Sequence, residues 1–285
     1  MSDAVEALGM FSSLRSEAAV QVLEEGFLKH PQVECPVIHR FGPGLYIREV
    51  TIPADTFSVG HRQTTAHINI MLEGRVTMVN EDGSHTELRA PQTFVAPPGR
   101  KVGYIHEKMV WLNVYATTET DVEILEATYL DKSPVWRAAQ ADTRLLLGAD
   151  IIAENRADYL AVLAEFGISH ELARSQTENI TDQIPFPYDG YKIVVAPSEL
   201  DGRGVFATAF LRAGEVIAPA RLGGMRTPAG RFTNHTKEPN AIMQRVGDDI
   251  YLVASRGING CHGGTLGEEV TVDYRQALRL TLKGI

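Results

Sequence analysis

From residue 33 to residue 130 the chain is cut into strand-length apolar segments by turn punctuation, and no other feature restricts its fold as strongly. Phe41-Gly42-Pro43-Gly44 is a turn, Leu45–Ile52 reads as a strand, and 68–79 reads as a longer one. Glu81-Asp82-Gly83 has hairpin character, because Asp-Gly admits the left-handed backbone of a tight connection. Ala96-Pro97-Pro98-Gly99 is a further turn, with strands expected over 102–106, 109–116 and 122–129. Many short strands at regular spacing predict a sandwich or a barrel.

The flanking text has a different period. Over 14–29, Ala18, Val22, Leu23 and Phe27 fall near one helical face; Ser16 is placed to cap the start and Pro31 to end it. Residues 138–147, 151–166 and 169–175 favour helix, with Gly167 interrupting and Pro185-Phe186-Pro187 breaking the pattern. Short strands return from 190 onward. A chain of 285 residues suits two modest domains. The expected boundaries are an N-terminal helical segment 1–32, a β-barrel 33–130, a helical connector 131–189 and a second β domain 190–285.

A formal net charge of −9 argues against a general nucleic-acid binder, which needs basic surface to displace counterions from phosphates. It suits a basic peptide or a cationic ligand. Cys35 and Cys261 lie far apart and outside any Cys-x-x-Cys pattern, so both are expected as reduced thiols in a cytoplasmic protein. With no basic-then-apolar leader and no long apolar run, neither secretion nor membrane insertion is expected.

Three motifs stand in order in the second half. Gly202-Arg-Gly-Val-Phe-Ala207 is a glycine turn entering a strand. Residues 231–240 read Arg-Phe-Thr-Asn-His-Thr-Lys-Glu-Pro-Asn, and 267–274 read Gly-Glu-Glu-Val-Thr-Val-Asp-Tyr. Together they resemble the signatures of SET-domain methyltransferases over roughly residues 190–276. The resemblance implies a minimal SET β-fold with two segments threaded as a pseudoknot, and S-adenosylmethionine as cofactor. It implies Tyr274 as the catalytic tyrosine and Asn234 and His235 as donor-binding, through backbone and the Asn side chain. Arg203 and Gly204 would form a loop whose backbone approaches the donor, and a lysine of a protein or peptide would be the acceptor. Ala254 to Ile258 resembles the strand before the last motif. Thr236 stands where the family commonly has Ser. The chain departs from the family in two ways. Only 218–230 fills the place of a longer insert that usually walls the peptide groove, and no cysteine-rich tail follows Tyr274. A non-catalytic donor-binding or assembly protein is therefore the alternative.

The chemistry fits such a site. A lysine amine must lose a proton against an ordinary pKa of about 10.4 before it can attack, and an apolar channel beside a sulfonium favours that loss. A protonated tyrosine hydroxyl can then orient methyl and amine.

In the first half, Gly60-His61-Arg62-Gln63, His67, Glu73-Gly74 and Pro97-Pro98-Gly99 resemble the cupin family over residues 37–128, nearest to the small cupin-like proteins of tailed bacterial viruses. Host cytoplasm would then be the setting. The resemblance implies a double-stranded β-helix barrel, homo-oligomers formed through it, and a divalent metal at the positions of His61, Gln63 and His67. The usual further ligand position holds Val102. His61, Gln63 and His67 share parity, so an unbroken strand would put them on one face. Two imidazoles and an amide oxygen suit Zn²⁺, Ni²⁺ or Fe²⁺ weakly, and a cupin metalloenzyme is a second alternative. The other reading of the same strand has Ile68, Ile70 and Leu72 forming the packed face and leaves the histidines hydrogen-bonded or wet.

Overall fold

The computed structural model describes residues 16–80, 82–143 and 149–282. The expected N-terminal segment before residue 16, Glu81 of the hairpin turn and positions 144–147 of an expected helix lie outside them. Two compact units divide the chain: Met1–Arg144 with His262–Thr265, and Leu145–Cys261 with Leu266–Ile285. Each is mainly β. The expected connector is shared out between them: helix Pro134–Thr143 belongs to the first unit, and helices Ala149–Glu165 and His170–Glu178 to the second.

The strands of the first unit are β1 (Val37–Gly42), β2 (Leu45–Ile52), β3 (Thr56–Val59), β4 (Arg62–Gln63), β5 (His67–Val79), β6 (His85–Arg89), β7 (Gln92–Ala96), β8 (Val102–Ala116) and β9 (Leu130–Asp131). The order β1-β2-β8-β5-β6 is antiparallel throughout, with β3 also on β8, β7 also on β5, and β4 paired with β9. The expected strands 102–106 and 109–116 are one, β8. Glu107 and Lys108 are exposed residues within it, not a turn. The irregularity falls on its partner instead. β5 shifts register between Glu73 and Val76, and Gly74 sits there at φ 96°, where a Cβ would lie 2.5 Å from the Lys108 carbonyl oxygen. Only glycine fits this bulge.

Residues 122–129 also differ from expectation: Val122–Tyr129 is a helix. Asp121 caps it by accepting from the N–H groups of Glu123 and Ile124, and Val122 and Leu125, three apart, are the residues it buries. The apolar content suggested a strand, but the cap and the spacing of three decide for helix. Helix Glu17–Leu28 lies inside the expected 14–29 and is capped by Ser16, but the residues it buries are Val20 and Glu24, while Val22 of the expected apolar face is exposed.

Along β5 the buried side chains are His67, Asn69 and Met71, while Ile68 and Leu72 are 44% and 50% exposed. The inner face is thus the one that carries histidine and asparagine, the reverse of the apolar packed face expected over Ile68, Ile70 and Leu72. Asn69 is buried at no cost in hydrogen bonds, because its Oδ1 accepts from Trp111 Nε1 at 2.9 Å and Asn113 Nδ2 at 2.8 Å. Met71, Val76, Ile105, Met109 and Trp111 form the apolar core beside it.

The second unit contains β10 (Gly190–Tyr191), β11 (Ile193–Pro197), β12 (Arg203–Ala207), β13 (Val216–Leu222), β14 (Met225–Arg226), β15 (Asn234–His235), β16 (Ala241–Val246), β17 (Asp249–Ala254) and β18 (Glu269–Val272). Its two sheets run β11-β12-β18-β15 and β14-β13-β17-β16. β18 is buried on both faces at Val270, Thr271 and Val272. The β15–β18 contact is parallel, Asn234 opposite Thr271 and His235 opposite Val272. Among the described residues no helix is long and apolar enough to cross a membrane.

Candidate functional site

The parallel β15–β18 pair gathers the three motifs of the second unit. A short helix, Pro228–Phe232, capped by Thr227, delivers the chain to Thr233 and then to the buried Asn234 and His235. Four oxygens surround the two N–H groups of the Asn234 side-chain amide: Glu269 Oε1 at 2.8 Å, and Ser198 Oγ, the Asp201 carbonyl and the Arg203 carbonyl at 3.1 Å each. The amide therefore ties the glycine turn to β18. Its donors serve the protein, as does the backbone of this step, which pairs with β18.

Glu269 is the other half of that knot. Burial raises its carboxyl pKa, opposed by the hydrogen bonds from Ser198 and Asn234. Gly204 lies against it, and a Cβ there would stand 2.1 Å from Glu269 Oε1. The resemblance assigned this glycine to close approach by a donor; its nearest neighbour in the structure is the Glu269 carboxylate. The Arg203 guanidinium stacks 4.7 Å from the centre of the Phe232 ring.

His235 is bonded at both ring nitrogens. Nδ1 accepts from the Tyr274 backbone N–H at 3.1 Å, so Nε2 carries the proton, which it donates to Asp158 Oδ2 at 3.1 Å. Arg275 clamps the same carboxylate at 2.8 and 3.0 Å, and holds the Asp158 pKa below the usual carboxylate range with help from His235. The Tyr274 hydroxyl donates to the Thr233 carbonyl at 3.2 Å. Burial pushes this phenol well above its ordinary value, so it stays protonated across the physiological range. Thr236, in the place of the family's serine, donates its hydroxyl to Thr271 at 2.8 Å.

The structure thus brings Asn234, His235, Tyr274, Arg203 and Gly204 together. Sequence reasoning missed Asp158, Ser198, Thr233, Glu269 and Arg275. Glu269 and Thr233 stood inside or beside quoted motifs, and Arg275 follows Tyr274 directly. Asp158 gave no local signal, since it reaches His235 from 77 residues away.

The metal positions of the first unit do not assemble in the expected way. They share no unbroken strand: Gln63 ends β4, which pairs with β9, whereas His67 opens β5 in the main sheet. Gln63 Oε1 accepts from the Tyr115 hydroxyl at 2.7 Å. His67 Nδ1 donates to the Thr65 carbonyl at 2.9 Å, and its Nε2 faces the Lys101 ammonium at 3.3 Å. His61 packs its ring edge-on to Trp136, 4.8 Å between centres. A fixed cation at His67 opposes a second one, and among the described residues no group of three or more His, Cys, Asp or Glu is placed to hold a metal. This donor set does not fit a resident divalent ion.

No family model matches the sequence, and no curated protein does. Several solved structures resemble parts of it, cupin and cupin-like proteins among them. A cupin-2 domain protein of Shewanella frigidimarina is 15% identical over 34% of this chain and 97% of its own, with a TM-score of 0.25. An RmlC-like cupin of Methanocaldococcus jannaschii, described as a double-stranded β-helix, is 14% identical over 30% of this chain and 84% of its own, TM-score 0.25. The EutQ protein of Clostridium difficile is 13% identical over 30% and 69%, TM-score 0.25.

Proposed function

We propose that the second unit binds S-adenosylmethionine and transfers its methyl group to the amine of a protein lysine, within a SET-like fold whose threaded segments are β15 and β18. One observation carries this reading: the Asn-His step, the glycine turn and Tyr274 converge through direct hydrogen bonds, although they are up to 71 residues apart in the chain. The first unit is read beside it as a cupin-like barrel that supports homo-oligomers.

The residues fit the group in their donor chemistry. The Tyr274 hydroxyl oxygen and the Thr233 carbonyl oxygen form a pair 3.2 Å apart, and such oxygens make weak C–H···O contacts to a methyl carried by a cationic sulfur. When bound, S-adenosylmethionine supplies an electrophilic methyl on a sulfonium. Tyr274 acts by positioning. Its hydroxyl stays protonated and orients, while the buried ring helps exclude water. Asn234 fixes the 201–203 backbone by its amide, and His235 fixes the start of the Tyr274 segment. A lysine amine loses its proton more readily in an apolar channel beside a sulfonium than in water.

The test is calorimetric titration of the full chain with S-adenosylmethionine, followed by a radiolabelled-methyl assay against lysine-containing proteins. Saturable binding and label that co-migrates with methyl-lysine are expected. No saturation at millimolar donor overturns the reading. Saturation without transfer to any protein replaces it with the non-catalytic donor-binding alternative.

A further inference from the structure

The first unit holds a half-open cavity of about 240 Å³, bounded by β2, β5, β8 and the helix Glu17–Leu28. Its walls are mostly apolar, with Val50, Ile52, Val76, Ile105, Met109 and Trp111 among them. A volume of this size holds several waters or one small organic molecule, and apolar walls favour the molecule.

The charges around it do not balance within the protein. Glu24 pairs with Arg100 at 2.5 Å and accepts from Ser133 at 2.6 Å. Arg48 pairs with Glu126 at 3.6 Å. Lys101 is the exception. Its Nζ meets the neutral acceptor His67 Nε2 at 3.3 Å and stands 5.8 Å from the centre of the Trp111 ring. Among the described residues no carboxylate lies at ion-pair distance from it, so this half-buried ammonium has no counterion within the protein. A second polar group is also short of a partner: Nδ1 of His61, which lines the same cavity, is shielded from water and accepts or donates no hydrogen bond. Gly60, beside His61, donates its backbone N–H to the Lys101 carbonyl at 2.9 Å, so the two segments meet in the wall, while the Lys101 ammonium turns toward His67 and Trp111.

We propose that this cavity is a binding site for a small organic monocarboxylate, its anionic end held by Lys101 with His61 nearby, and its apolar body packed against Trp111, Met109 and Ile105. The carboxylate supplies the charge that Lys101 lacks and an acceptor or donor partner within the His61 wall, while the body fills space that water wets poorly. A resident metal is not needed. The site stands apart from methyl transfer and does not depend on it.

Benzoate and its uncharged isostere benzamide are the probes, titrated into the full chain by calorimetry with thermal unfolding alongside. Benzoate is expected to bind saturably and raise the unfolding temperature, and benzamide to bind at least about tenfold more weakly. Lys101→Met, close in volume, is expected to abolish the preference, and Lys101→Arg to keep it. Equal affinity for the two probes overturns the proposal, as does the absence of saturation by benzoate at about 10 mM. Undiminished benzoate binding by a folded Lys101→Met protein overturns it too. Should Lys101→Met not fold, the benzoate–benzamide comparison on the unaltered chain decides alone.

Discussion

The backbone N–H of Tyr274 donates to Nδ1 of His235, 39 residues earlier in the chain. Tyr274 opens the helix Tyr274–Leu282, whose first N–H groups have no partner within the helix. The imidazole satisfies one of them, and Asp273 Oδ1 takes the next, from Arg275, at 2.9 Å. His235→Ala removes an acceptor from that N–H and a donor from Asp158 at once. The expected cost is about 1–3 kcal/mol of stability in the second unit, read as a lower urea midpoint by far-UV circular dichroism. Weaker S-adenosylmethionine binding should accompany it, since the segment carrying Tyr274 loses its anchor.

Tyr274→Phe separates orientation from binding. The ring and its burial remain; only the hydroxyl and its bond to the Thr233 carbonyl go. Methyl transfer should fall by at least about a hundredfold, with donor affinity within about threefold of the unaltered protein. Parallel loss of both, with the fold intact, contradicts an orienting role.

Gly204→Ala tests the knot under the glycine turn. The new Cβ would stand 2.1 Å from Glu269 Oε1 and 3.1 Å from Ser198 Cβ. Glu269 cannot swing aside without breaking its bonds to Asn234 and Ser198. A loss of about 1–3 kcal/mol is expected, and the same substitution made in a Glu269→Ala background should cost clearly less. Additive losses in that double-mutant cycle, measured by denaturant unfolding, would mean the two residues do not press on each other.

What the sequence revealed was whatever depended on neighbours in the chain. Ser16 and Pro31 bracket a helix because capping and proline geometry are local, and Leu45–Ile52 is a strand at the predicted limits. What it concealed depended on partners far away. The bulge at Gly74 lies where the Lys108 carbonyl comes within 2.5 Å of the place a side chain would take, and reading 68–79 as a single regular strand gave no sign of it. The inward face of β5 was misread because Asn69 is buried by two donors from β8, which no alternation of apolar residues records. The motif residues of the second unit were legible one by one. Their helical support was not: Asp158 stands on a helix whose composition resembles that of any solvated connector.

The first unit should lose stability to acid in two overlapping stages. The first is set by its buried histidines, His39 and His61, burial lowering the His61 pKa to about 3, and the second by one paired carboxylate. His39 is buried against the Tyr46 hydroxyl at 2.7 Å, and burial lowers its pKa from 6.5 to about 4. The folded state therefore prefers the neutral ring, and its contribution is present above pH 6.5 and lost as pH falls from 6.5 toward 4. Glu126 behaves as a paired carboxylate. Desolvation would raise its pKa, but Lys132 at 2.6 Å and Arg48 at 3.6 Å outweigh that and lower it from 4.5 to about 2. Its contribution, on the order of 3 kcal/mol, is present above pH 4.5 and lost as pH falls through about 2. Both tryptophans, Trp111 and Trp136, lie in this unit, so fluorescence reports its unfolding selectively. The urea midpoint should decline first from pH 6.5 toward about 3, through the two histidines, with a second decline from Glu126 setting in below 4.5. Glu126→Gln should lower the midpoint at about pH 7, flatten the second decline and deepen the first, because the Glu126 charge also favours protonated His39 and His61. If the second decline persists unchanged in that variant, the Lys132–Glu126–Arg48 cluster is not its source.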